Sequence, residues 1–189
     1  PAVVDAVRGG LEKHFPGTPA VLINADAGSS DTTVDRLAES GLSLVRAQHE
    51  APAAQLAAVP FHGVPGRGAA LRLAVAVARR LGARALLVLE ADVTSVTDEW
   101  IERLVSPVLE RGADLVMLVH ARHRYDGTIT NLVLAPLVGA LFGRRLHQPL
   151  SGPRALSARL LEHLGAARQW PESGRSLTDL WIAGTAVAD

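Results

Sequence analysis

Short apolar runs alternate with amphipathic segments over residues 1–120, and this alternation restricts the fold more than any other feature. The runs have the length of β-strands, and the segments between them repeat apolar residues at helical spacing. We predict strands at Ala20–Asn24, Leu42–Arg46, Ala85–Leu89 and Asp114–His120. We predict helices at Ala2–His14, Thr32–Glu39, Ala69–Leu81 and from Thr97 or Asp98 to Glu110. This order is typical of a single α/β domain with a mostly parallel sheet flanked by helices.

The rest of the chain is less regular. After a polar, glycine-containing stretch at 121–131, we predict a helix over Leu132–Phe142. Residues 148–153 are rich in turn-forming residues. Helical spacing then predicts helices at Ala155–Leu164 and Leu177–Ala188.

Composition excludes several classes of protein. Hydrophobic residues make up 48% of the 189 residues and charged residues 20%, which is enough apolar content for a buried core. The 19 basic and 19 acidic residues cancel, so binding to nucleic acid through phosphate charge alone is not predicted. The chain has no Cys, which excludes disulfides and thiolate metal sites. No apolar run approaches the roughly 20 residues that span a bilayer. We therefore expect a cytoplasmic protein without a transmembrane segment.

Acidic residues follow two of the predicted strands. Asp26 comes after Ala20–Asn24, and Glu90 and Asp92 come directly after Ala85–Leu89. Ligands of open α/β sheets bind outside the carboxyl ends of the strands. Carboxylates placed there suit Mg²⁺ or Mn²⁺, which take oxygen ligands and also hold substrate phosphates. The alternative is that Asp92 only caps the turn before the next helix.

Glycines surround Arg67 at the predicted start of a long helix. Gly63, Gly66 and Gly68 would let the backbone approach a phosphate or a base, and a helix N-terminus favours anions. The segment lacks the Gly-Lys-Ser/Thr ending of a Walker loop, and its glycines do not directly follow a strand. An ordinary loop at a helix start remains the alternative.

Arginine is concentrated in the second half of the chain. Residues 120–159 contain six Arg and a single acidic residue, Asp126. Because the guanidinium fork matches carboxylates and phosphates, this asymmetry favours a small anionic ligand. A solvated basic face is the alternative.

Three segments of the first half, taken in order, resemble the donor site of GT-A fold glycosyltransferases. Residues 26–31 resemble the Asp-x-Gly-Ser-x-Asp motif, residues 66–68 the Gly-Lys-Gly segment, and residues 90–92 the Asp-x-Asp motif. The resemblance implies that Asp26 reads the nucleotide base. It implies that the donor pocket is lined by Gly66, Arg67, Gly68, Glu90 and Ala91. It also implies that Asp92 ligates the catalytic metal, Mg²⁺ or Mn²⁺, under the donor diphosphate, with Glu90 beside the ribose or the metal.

The second half resembles a narrower group, the mannosylglycerate and glucosyl-3-phosphoglycerate synthases, which are family 2-like retaining transferases. The matching segments are 125–131, 135–137 and 148–152. The resemblance implies a nucleotide-binding half at 1–119 and an acceptor-binding half at 120–189. It implies that Asp179 orients the acceptor or stabilises the oxocarbenium-like sugar. The implied acceptor residues are Arg124, Asp126, Gly127, Thr128, Thr130, Gln148 and Gly152.

The implied reaction moves a hexose from a UDP- or GDP-linked sugar to a small anionic hydroxy acceptor such as glycerate or phosphoglycerate. Homodimers are common in this group, so a homodimer is one expected assembly. By the same resemblance, a first strand before Pro1 and a segment after Asp189 are expected in a longer protein.

Two positions depart from the group. Glu90 replaces the first Asp of the metal motif, and Pro153-Arg154 stand where the group has an acidic residue. Three alternatives therefore stay open: a sugar-phosphate nucleotidyltransferase, a non-catalytic nucleotide-sugar-binding domain, and a transferase with a membrane-linked acceptor.

Overall fold

The computed structural model describes residues 2–26, 37–48, 67–121, 123, 126–168, 170 and 175–188. Its strands are β1 (Val21–Asp26), β2 (Ser43–Gln48), β3 (Ala85–Val88), β4 (Leu115–Met117) and β5 (Arg154–Ser157). Its α-helices are α1 (Ala2–His14), α2 (Arg67–Arg80), α3 (Asp98–Arg111), α4 (Ala135–Phe142), α5 (Ala158–Ala166) and α6 (Arg175–Ala188). A π-helical turn, Thr130–Leu134, leads directly into α4.

Most elements predicted from the sequence are present within a few residues of the expected bounds. Helix α1 has the predicted ends, and α3 begins after Thr97, one of the two expected caps. The predicted helix at Thr32–Glu39 lies mostly outside the described residues, as does the predicted loop at 47–62. The mixed α/β character of the chain is therefore confirmed.

Within the described residues the strands form two sheets, and only one of these is parallel. Strands β1 and β2 pair in parallel, from Val21 opposite Ser43 to Asp26 opposite Gln48. In the other sheet, β5 lies between β3 and β4 and is antiparallel to both. The expectation of a mostly parallel sheet is thus only partly correct.

Strand β5 corrects the helix predicted at Ala155–Leu164. The hydroxyl of Ser157 accepts a hydrogen bond of 3.1 Å from the Leu160 amide, so Ser157 is the N-cap and α5 starts only at Ala158. The residues before this cap are buried and pair with strands on both sides. The Ser N-cap, three residues before the apolar face of α5, is the sequence signal that marks this boundary.

The three-stranded sheet is covered by helices on both faces, because successive side chains of a strand point in opposite directions. Ala155 packs with Leu104 and Val108 of α3. Its neighbour Leu156 packs on the other face, among apolar residues of α2, β3, α5 and α6. The main core members on that face are Leu71, Val75, Leu86, Leu160, Leu161, Leu164 and Ile182.

Pro136 explains the π-helical turn before α4. Proline has no amide hydrogen, and its ring clashes with the carbonyl four residues earlier in a regular helix. The Ala135 amide instead bonds the Thr130 carbonyl, five residues back, which widens the turn. The helix predicted over Leu132–Phe142 is therefore present, with an irregular first turn.

Candidate active site

One edge of the three-stranded sheet gathers the ends of three elements. Because β5 runs against its neighbours, the carboxyl ends of β3 and β4 lie beside the start of β5. Val88 of β3 and Met117 of β4 both pair with Arg154, the first residue of β5. The segments just beyond these positions are therefore brought together, although they are distant in sequence: Glu90 after β3, His120 after β4, and Gly152 before β5.

Glu90 and Gly152 are in direct contact at this edge. A Cβ atom placed on Gly152 would lie 2.6 Å from both Cδ and Oε2 of Glu90. That is closer than any side chain tolerates, so the carboxylate occupies the space that only a glycine leaves empty. The contact joins a residue predicted for the donor site to one predicted for the acceptor site.

Beyond Glu90 the chain forms a turn that exposes Asp92. The Val93 amide donates to the Glu90 carbonyl over 3.3 Å, and both Ala91 and Asp92 are exposed while Glu90 is half-buried. The described residues contain no group of three His, Asp or Glu side chains placed to hold a metal. A pair of carboxylates still suits Mg²⁺ or Mn²⁺, because Mg²⁺ is commonly bound by one or two carboxylates together with substrate phosphates.

The turn at 148–152 is attached to the end of β4 through the Gln148 side chain. Its amide nitrogen donates to the His120 carbonyl over 2.8 Å, and its amide oxygen accepts from the His120 amide over 3.1 Å. The Ser151 hydroxyl lies 3.5 Å from Nε2 of His120, and the His120 ring lies against Trp100 with 5.4 Å between centroids. The predicted acceptor residue Gln148 therefore shapes this turn in the structure.

An ion pair lies behind the same turn. Nη2 of Arg154 is 2.9 Å from Oδ1 of Asp179, and both side chains are covered, with exposures of 0% and 1%. The Arg154 guanidinium also donates from Nε to the Gly152 carbonyl over 3.2 Å and from Nη2 to the Ser151 carbonyl. Asp179, predicted beside the reacting sugar, thus contacts Arg154 in the interior.

Backbone hydrogen bonds within the predicted acceptor loop fix its shape. The Asp126 amide donates to the His123 carbonyl over 2.8 Å, and the Asn131 amide donates to the Gly127 carbonyl over 2.8 Å. Gly127 has a φ of +70°, a conformation that disfavours other residues. Asp126 and Thr128 are exposed, whereas Thr130 is buried. Arg124 lies outside the described residues.

The structure gives only partial positions for the other predicted donor residues. Asp26 ends β1, where its backbone pairs with Gln48, and Arg67 and Gly68 begin α2. The side chains of Asp26 and Arg67, the whole of Gly66 and most of the 26–31 motif lie outside the described parts of the chain.

Two depressions of the described surface lie away from this edge. One, of about 670 Å³, is lined by Glu162, His163, Ala166, Ala167, Thr185 and Ala188. Another, of about 330 Å³, lies along α3 and includes Glu102 and Arg103. Neither is lined by Glu90, Asp92 or Gly152.

Sequence reasoning missed three residues that shape this edge: His120, Ser151 and Arg154. The available signal was Arg154 itself, which departs from the acidic pattern of the resembled group and lies two residues after Gly152. Its pairing with Asp179, 25 positions later, is set by the fold and has no local sequence pattern.

Comparison with known proteins gave structural matches only. No family model and no curated protein matched the sequence. Solved structures of glucosyl-3-phosphoglycerate synthase from Mycobacterium tuberculosis matched with a TM-score of 0.61 and 25% identity for its phosphoglyceric acid complex. The match covers 98% of this chain and 63% of that one. The complex with Mn²⁺, UDP and phosphoglyceric acid matched with a TM-score of 0.62 and 26% identity, over 96% of this chain and 58% of that one.

This chain thus spans less than two thirds of the length of the synthases it matches. In the described part of the chain, no helix exceeds 14 residues or combines the length and apolar character needed to cross a bilayer. The resemblance inferred from the ordered motifs is confirmed at the level of structure: over nearly its whole length, the chain is similar to glucosyl-3-phosphoglycerate synthase, a GT-A family 2-like glycosyltransferase.

Proposed function

We propose that this chain is the GT-A domain of a metal-dependent glycosyltransferase that moves a hexose from a UDP- or GDP-linked sugar to a small anionic acceptor such as phosphoglycerate. The observation that carries the proposal is the contact between Glu90 and Gly152. It brings the predicted donor turn and the predicted acceptor turn to one edge of the sheet, where ligands of such folds bind.

On the donor side, Asp92 is the metal ligand, because its carboxylate is exposed at the end of β3. Glu90 lies beside the ribose or the metal, Asp26 accepts a hydrogen bond from the base, and Gly66, Arg67 and Gly68 border the nucleotide. A bound Mg²⁺ or Mn²⁺ would stabilise the negative charge that develops on the departing diphosphate.

On the acceptor side, the Arg124 side chain and the Gly127–Thr130 loop bind the carboxylate or phosphate, and Asp126 helps to shape that loop. Gln148 and Gly152 form the wall toward the donor. The bond from the anomeric carbon to the diphosphate oxygen breaks, and its electron pair stays on the departing nucleoside diphosphate. A bond forms from that carbon to the acceptor hydroxyl oxygen, whose proton the departing diphosphate takes up. The support for an anionic acceptor is the excess of arginine in this half and the phosphoglyceric acid bound in the matched synthase structures.

Thermal unfolding with Mn²⁺ and a panel of nucleoside diphosphates tests the donor site. A ligand at 100 times its dissociation constant stabilises a protein by about 2.7 kcal/mol, so UDP or GDP with Mn²⁺ should raise the Tm measurably. The shift should disappear in Asp92→Ala. It should persist in Glu110→Ala, which removes an exposed carboxylate from the far end of α3.

Absence of a shift with every nucleotide would contradict the proposal. Product analysis then separates the reaction classes. A glycosyltransferase releases a nucleoside diphosphate when supplied with a nucleotide sugar and phosphoglycerate, whereas a nucleotidyltransferase releases pyrophosphate. Donor binding without release of either product would indicate a non-catalytic binding domain.

A further inference from the structure

The buried pair of Arg154 and Asp179 is unusual enough to require a reason. Removing two charges from water is costly, and a buried ion pair is often no more stabilising than an apolar pair of similar volume. Both side chains are nevertheless fully covered, with 2.9 Å between Nη2 and Oδ1. The burial of both charges therefore indicates that the pair has a role other than stabilising the fold.

Arg154 contacts both Asp179 and the turn that belongs to the candidate site. The same guanidinium that meets Asp179 donates to the carbonyls of two consecutive residues, Ser151 and Gly152. The planar fork of arginine fixes both carbonyls at once, which a lysine ammonium on its flexible stem does not do. Gly152 in turn lies under the Glu90 carboxylate. The contacts thus run without interruption from Asp179 through Arg154 and Gly152 to Glu90.

The ends of this series belong to well-anchored parts of the fold. Asp179 lies in the first half of α6, one turn before Ile182, which belongs to the main core. Arg154 is the first residue of β5 and pairs with both β3 and β4. Through Arg154, the turn between Gln148 and Gly152 is therefore anchored to the core and not to the solvent-exposed acceptor loop.

We infer that Arg154 and Asp179 are positioning residues, which hold the Ser151–Gly152 turn in register with Glu90 and so set the geometry of the donor site. The inference rests on the proposed function for its effect on nucleotide binding. Asp179 acts on the reaction through Arg154 and the two carbonyls, from the interior of the protein.

The double variant Arg154→Met/Asp179→Val tests the inference, because it removes the fork and both charges together. An apolar pair of similar volume should leave the Tm nearly unchanged. Amide hydrogen exchange at 90–93 and 151–152 should accelerate by about tenfold or more, since the turn loses its anchor. The Kd for UDP with Mn²⁺ should rise by about tenfold. The matched control is Arg79→Met/Glu162→Leu, which removes the exposed pair between α2 and α5 and should change neither readout.

A single variant covers the case in which the double variant does not fold. Arg154→Lys keeps the charge opposite Asp179 but replaces the rigid fork with a freely rotating ammonium, so exchange at 151–152 should still accelerate. Unchanged exchange and unchanged donor affinity in a folded variant would overturn the inference. Accelerated exchange in a protein whose wild type binds no nucleotide would support the positioning role and contradict the proposed function, so the two failures are distinguishable.

Discussion

Two neighbouring stretches of the second half differ in how the fold holds them. The first, residues 148–164, contains the turn, β5 and most of α5, and the second, residues 126–145, contains the acceptor loop, the π-helical turn and α4. Arg154 in the first is fully covered, whereas Ile129, Leu132 and Leu141 in the second are 70%, 73% and 66% exposed. Whether a side chain is buried therefore depends on its position relative to the sheet and not on its apolar character alone.

The difference has a functional consequence. Strands β3 and β4 pair with the first stretch and Asp179 of α6 contacts it, so its geometry is set by elements that are distant in sequence. The second takes its shape from Gly127, Pro136 and Gly143, which has a φ of +64°, and it contacts α6 through Phe142. We expect changes in the first stretch to alter stability and donor binding, and changes in the second to alter acceptor binding.

The largest effect is expected from breaking the buried ion pair on one side. Asp179→Ala leaves the Arg154 guanidinium buried without its carboxylate, which should lower the free energy of unfolding by about 3–5 kcal/mol. Urea denaturation followed by circular dichroism measures this loss. A loss below about 1 kcal/mol would contradict the conclusion that this ion pair anchors the first stretch to the rest of the fold.

Truncating leucines in the two stretches sharpens the comparison. Leu161 is 1% exposed in the main core, so Leu161→Ala should cost about 2–5 kcal/mol through lost burial and the cavity left behind. Leu132→Ala removes a similar side chain from the surface and should change stability by about 0.5 kcal/mol or less. Equal losses in denaturant titrations would show that Leu132 is covered in solution.

A methyl group on Gly152 should alter the site more than the fold. Gly152→Ala would displace the Glu90 carboxylate, whose flexible end can move, so we expect a stability loss within about 1 kcal/mol. The Kd for UDP with Mn²⁺ should rise by about tenfold. Gly139→Ala in α4 is the matched change, because the nearest atom to its Cβ is 3.9 Å away, and it should stabilise the helix by about 0.5–1 kcal/mol. Calorimetric titration that finds equal donor affinity in both variants would exclude a role for the Glu90 position.

A smaller, pH-dependent effect is expected at Asp114, which ties the start of β4 to β5 and α5. Hydrogen bonds from Arg159 and Ser157 hold the pKa of this carboxyl below its usual value. A carboxylate with a lowered pKa stabilises the fold above the ordinary carboxyl range, and that contribution is lost as the pH falls through the lowered pKa. Asp114→Asn should therefore cost about 1 kcal/mol at neutral pH and progressively less in acid. A stability difference that stays constant down to about pH 2 would contradict this assignment.

How far the sequence predicts this molecule depends on the range of the interactions involved. Helices α1 and α3 follow from local spacing and caps, and their bounds were predicted closely. Strand β5 was predicted as helix, because Leu156, Leu160 and Leu164 repeat at helical spacing while the partners that make it a strand are distant in sequence. The ordered motifs predicted a donor turn and an acceptor turn, but not that Glu90 would lie on Gly152.

The central claim is that the donor turn and the acceptor turn form one site. Hydrogen exchange of the wild-type protein with and without Mn²⁺ and UDP tests it most directly. We predict slowed amide hydrogen exchange at both 90–93 and 151–152 when the nucleotide is bound. The ligand contacts the first segment, and the Glu90–Gly152 contact restricts the motion of the second. Nucleotide-dependent protection confined to other segments, or none at all, would contradict it.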